Sequence, residues 1–226
     1  MKKILMTALM AFMTMGLLVG CEEETVGGGN GTGNGGGNGD NGGNGGGTSI
    51  EWVKYCSDNC GLSFEAVRAD LQAKGFNLQS ERANQPLGGD VVYDAYVYLK
   101  GGDIVSVAVI GGTVKQVSHS ETADIPRHLE FVRQLPSHIS GSPEFDGNIT
   151  LTTIDSEITD EDYTDLNTYV AAVQQIPSAD LERANAISLE ATLHTSAKSL
   201  MCNYTKYGSH AVMVSASIDE FNPHAD

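Results

Sequence analysis

The clearest periodicity in the chain runs from Val91 to Lys100, where Val91, Tyr93, Ala95, Val97 and Leu99 alternate with Val92, Asp94, Tyr96, Tyr98 and Lys100. A period of two marks a strand with an apolar face and a tyrosine-bearing one. Gly101-Gly102 turns the chain into the run Ile104 to Ile110, and Gly111-Gly112 turns it again into Thr113 to Ser118. Glycine tolerates the positive φ that such turns require, so the pattern predicts a three-stranded antiparallel meander. Its middle run is apolar on both faces, which predicts a central strand covered by helices on at least one side.

Helical spacing appears on both sides of the meander. Phe64, Val67 and Leu71 recur at turns of a helix over about 64–74, capped by Ser63 and stopped at Gly75-Phe76. A second helix is expected from Pro126 to Leu135, opening near Asp124 and ending at Pro136, with Pro136 to Gly147 as loop. Asn148 to Ile154 reads as strand. Thr159 and Asp162 then resemble a capping box, with Tyr163, Leu166, Val170 and Val173 as the buried stripe of a helix ending before Pro177. After a possible helical turn at Ala179 to Ala184, Ile187 to His194 alternates as a half-buried strand. Leu200 to Thr205 and His210 to Ile218 form a closing hairpin. The order predicts an α+β domain over 49–226, with about three helices packed on an antiparallel sheet that includes the meander.

The N-terminal quarter follows other rules. Lys2 and Lys3 precede an uncharged apolar run from Ile4 to Val19, the layout of a secretory signal over 1–20. Leu18-Val19-Gly20-Cys21, with Leu at minus three and small Gly at minus one, resembles the lipobox of bacterial lipoproteins. The resemblance implies cleavage by signal peptidase II and a diacylglycerol- and palmitate-bearing Cys21 as the mature N-terminus. The lipid bilayer is then a partner through acylated Cys21, with more than one chain needed for stable attachment. It also places the protein in a bacterial cell envelope, periplasmic or surface-exposed. From Gly27 to Gly47 the chain is almost only Gly and Asn, so 21–48 reads as a flexible linker reaching on the order of 25 Å. Gly31-Thr32-Gly33-Asn34-Gly35-Gly36 matches the dinucleotide fingerprint only by composition, since no strand or helix flanks it.

Charge then narrows the partners. With 13 Lys plus Arg against 29 Asp plus Glu, the formal net charge of -16 disfavours nucleic acid. The expected partner is instead an envelope protein or a small ligand, and no cofactor is implied.

Cys56-Ser57-Asp58-Asn59-Cys60 is the sharpest local motif of the domain. Outside the cytosol such a pair predicts a structural disulfide between Cys56 and Cys60, with Cys202 left over; pairing of either with Cys202 is the rival. The same spacing resembles the copper-binding pair of thioredoxin-fold copper chaperones, and Cys56, Cys60, Cys202, His194 and His210 together form an alternative metal set. The acidic run Asp155 to Asp165 lacks the glycine and terminal glutamate of an EF-hand loop. Neither G-x-S-x-G, S-x-x-K nor H-E-x-x-H occurs. Tyr96 and Tyr98 offer an aromatic surface. The expectation is a membrane-tethered, non-enzymatic binding or assembly module, with a metal-handling or thiol-redox protein using Cys56 and Cys60 as the alternative.

Overall fold

A computed structural model describes residues 50–154 and 156–225. The signal, the lipobox with Cys21 and the Gly-rich linker lie outside the described residues.

Within the unit Ile50–Asp226 the elements are α1 (Trp52–Asn59), α2 (Phe64–Ala73), β1 (Asn77–Gly88), β2 (Val91–Lys100), β3 (Asp103–Ile110), β4 (Thr113–Glu121) and α3 (Ile125–Gln134). They continue with β5 (Glu144–Thr152), β6 (Glu157–Tyr163), α4 (Leu166–Gln175), α5 (Ser178–Arg183), β7 (Ala186–His194), β8 (Lys198–Tyr207) and β9 (Ser209–Ile218). All strands join one nine-stranded antiparallel sheet in the order β1-β2-β3-β4-β9-β8-β7-β5-β6.

This corrects the expected α+β domain with three helices. Among the described residues strand accounts for 47% and helix for 29%, with five α-helices, so the fold is mostly β. Three misread segments explain the difference. Residues 52–59, ahead of the first expected helix, form α1, whose Trp52, Val53, Tyr55 and Cys56 make one buried stripe. Asn77–Gly88 is a strand with almost no apolar alternation, formed because the hydrogen-bonding edge of β2 accepts it. Glu157–Tyr163, read as a helix start, is edge strand β6, and the helix that follows is capped by Asp165, which accepts from the Thr168 amide at 2.8 Å.

The strand registers sort side chains onto two faces. Val105, Val107, Val117, Val214, Cys202, Leu189 and Ile149 point to the face where the helices pack. Trp52 of α1 stacks on His119 of β4 at 3.7 Å between ring centroids, and Phe64 of α2 stacks on Tyr96. The tyrosine face of β2 therefore looks toward the helices: Tyr98 is fully buried, and Tyr96 is half-buried under Phe64, so the two do not form the open aromatic surface expected of them. The opposite face carries Ser106, Ser118, Ser215, Ser217, Ser199, Met201 and Thr192. The middle strand of the sheet is β9, with β3 two places away.

Both sheet edges resist further pairing. β6 carries Glu157, Asp160, Glu161 and Asp162, while β1 is broken by register shifts and by Pro86. Among described residues no helix is long and apolar enough to cross a membrane.

Candidate functional site

A groove of about 670 Å3 opens on the helix-bearing face between α3, the α4–α5 segment and the ends of β7, β8 and β9. Its apolar floor comes from Leu129 of α3, Val173 of α4 and Ile187 of β7, with Ile176 and Leu181 beside them. Leu129 and Val173 belong to the buried stripes of α3 and α4, which stop short of covering the strand ends.

Polar groups ring this floor. Lys206 Nζ donates to the carbonyls of Leu181 at 3.1 Å and Ala184 at 3.3 Å, which ties α5 to β8 and holds the ammonium at the groove wall. Tyr204 Oη and His210 Nδ1 are 2.6 Å apart across the β8–β9 hairpin. Burial raises the Tyr204 phenol above its ordinary value, with the Asp124 carboxylate adding to the effect. Arg133 at the end of α3 lines the groove and makes no ion pair among the described residues. The arrangement suits a ligand with an apolar body and a polar or anionic head.

The residues singled out in the sequence are dispersed. His210 belongs to the groove, but His194 points to the opposite face of the sheet, opposite Ser199 in the β7–β8 register. Cys56, Cys60 and Cys202 are buried free thiols, in place of the expected Cys56–Cys60 disulfide. The reason is helical geometry: side chains four apart on a helix keep their Cβ atoms roughly 5–6 Å apart, whereas a disulfide needs about 3.8 Å. Cys56 Sγ lies 3.7 Å from the Val214 carbonyl, and Cys60 Sγ 3.2 Å from that of Lys115.

Cys202 has a separate partner. Its Sγ is 3.2 Å from His128 Nδ1, and His128 Nε2 is 2.9 Å from Tyr169 Oη, a chain that locks α3 and α4 onto β8. Burial pushes the Cys60 thiol up to about 12, raises Cys56 and Cys202 as well, and lowers His128 to about 3. All three thiols belong to the hydrophobic core cluster.

The sequence reading missed two His–carboxylate groups. Asp103, His119 and Glu121 cluster at the end of the β3–β4 pair, where His119 Nε2 is 2.9 Å from Asp103 Oδ1 and Arg127 holds Glu121 at 2.5 Å. Asp146, His194 and His224 cluster on the face away from the helices. Strand pairing brings Asp103 to His119 and Asp146 to His194, and the turn after β9 adds His224, so no local spacing marks either group. Comparison of the chain with protein-family models, with curated proteins and with solved structures finds no match.

Proposed function

We propose that the protein is a lipid-anchored module of a bacterial envelope that works by holding a small ligand, with an apolar body and an anionic head, in the groove between α3 and α5. The anchor is Cys21, supported by the lipobox residues Leu18 to Cys21, and the Gly- and Asn-rich stretch is the spacer between membrane and domain. The ligand reading rests on one observation: an apolar floor of Leu129, Val173 and Ile187 bordered by the cations Arg133 and Lys206. In a chain of net charge -16, a groove lined by the two cations against the one carboxylate of Asp124 favours an anionic head at that place.

Binding would draw on the apolar body, at about 0.8 kcal/mol per buried methylene, with the cations setting orientation. Equilibrium binding of dodecanoate to the detergent-solubilised full chain tests the reading. Arg133→Glu combined with Lys206→Glu is expected to weaken binding by roughly tenfold or more, while dodecanol, lacking the charge, binds both proteins alike. Equal dodecanoate affinity in the two proteins would overturn the assignment.

A further inference from the structure

On the face of the sheet away from the groove, His194 closes β7 with its side chain 9% exposed. Its register partner is Glu144 of β5, and Asp146 lies two residues further on the same face. The chain after β9 then returns to this spot. Asn222, 4% exposed, donates from Nδ2 to the carbonyls of Thr195 and Ser196, each at 3.0 Å, and accepts the His224 amide on Oδ1 at 3.1 Å. This turn sets the His224 imidazole on that of His194, with centroids 3.4 Å apart and planes 11° from parallel.

We propose that Asp146, His194 and His224 bind one first-row divalent transition ion of the zinc type. One ligand atom from each residue lies within 4.8 Å of the others, and His194 Nε2 is 3.2 Å from Asp146 Oδ2. Around a tetrahedral zinc with bonds of about 2.0–2.1 Å, ligand atoms stand roughly 3.3 Å apart, so this pair already has the length of one edge. The remaining closure falls to His224, whose ring leaves the stack so that its lone pair converges on the ion.

Two further features fit an ion. A hydrogen bond to Asp146 accounts for His194, but not for a second imidazole brought beside it by the turn that the buried Asn222 holds through the His224 amide. A polar cleft of about 640 Å3, lined by Ser140, Ser142, Thr195 and Ser196, opens over both rings and admits water to the remaining coordination positions. Two imidazoles and one carboxylate suit zinc, nickel or copper, whereas calcium and magnesium require oxygen donors. Glu144 and the net negative chain raise the local cation concentration.

The site is independent of the groove, since the sheet separates them. The test uses the full chain in detergent, stripped with a chelator and titrated with zinc by calorimetry, with cobalt(II) absorption as a second readout. Expected are one zinc per chain, a zinc-dependent rise in melting temperature, and a loss of affinity of roughly tenfold or more in His224→Ala and in Asp146→Asn. Asp103→Asn, at the other His–carboxylate group, is expected to leave uptake unchanged. His224 is partly exposed, so its variant is expected to melt at the parent temperature without metal. Absence of stoichiometric zinc, unchanged affinity in His224→Ala, or loss of uptake in Asp103→Asn alone would each overturn the proposal.

Discussion

The His128 imidazole makes the stability of the domain depend on pH in a way that one substitution can isolate. The side chain is fully buried between α3, α4 and β8, and burial lowers its pKa to about 3, against about 6.5 in an unfolded chain. Between these values the unfolded chain binds a proton that the folded one does not. Its contribution is therefore intact above about pH 6.5 and is lost as pH falls toward 3. One pH unit corresponds to about 1.4 kcal/mol, so pH 4.5 costs on the order of 2–3 kcal/mol relative to pH 7, a large share of a typical 5–15 kcal/mol. Urea unfolding followed by the fluorescence of Trp52, the one tryptophan, measures it at several pH values. His128→Gln is expected to lose roughly 1–3 kcal/mol at pH 7, because Tyr169 Oη and Cys202 Sγ lose their partner. Its stability is also expected to fall less steeply with acid, by about 1.4 kcal/mol per pH unit, so that the two curves meet near pH 5. His119, also lowered by burial, titrates alike in both proteins and cancels. Parallel curves from pH 7 to 4.5 would refute the account of a buried neutral His128.

Three other outcomes are expected. Gly147→Ala places a Cβ 2.7 Å from Tyr169 Cδ2 and 2.9 Å from Phe145 Cε1, both in buried rings, and is expected to destabilise by about 1–3 kcal/mol in the same urea assay. Cys56, Cys60 and Cys202 are expected to resist a thiol reagent in the native protein and to react as three thiols in denaturant without reductant. Cys21→Ala is expected to leave the membrane fraction or to persist as an unprocessed precursor, since the anchor is assigned to that residue alone; fractionation of cells followed by immunoblotting checks it.

Much of the strand pattern is legible in the sequence because alternation is a local property. The meander β2 to β4 and the hairpin β8–β9 follow from period-two runs and from Gly101, Gly111 and Gly208, each at positive φ. Which side of β2 faces the helices is not local. Both of its faces carry apolar groups, and the choice falls to Phe64, whose ring stacks on Tyr96. β1 and β6 are polar edge strands formed by an available partner strand, so their own residues carry little signal. The acids of β6 suit a helix N-terminus as well as a sheet edge, and tertiary pairing decides. The cysteine pair misleads because C-x3-C reads as a disulfide only in a loop, whereas α1 makes the same spacing one helical turn. The groove and the Asp146–His194–His224 cluster rest on contacts spanning 25 to 48 residues, such as Lys206 with Leu181 and His194 with Asp146, beyond any local pattern.

The groove assignment is tested most directly by photolabelling. A fatty acid bearing a diazirine in its chain, irradiated with the detergent-solubilised full chain and mapped by peptide mass spectrometry, reports where the apolar body lies. The account predicts adducts on 125–133 of α3 and on 173–187, around Leu129, Val173, Leu181 and Ile187, and their suppression by excess dodecanoate. Adducts confined to the opposite face of the sheet, or label that dodecanoate does not compete away, would contradict it.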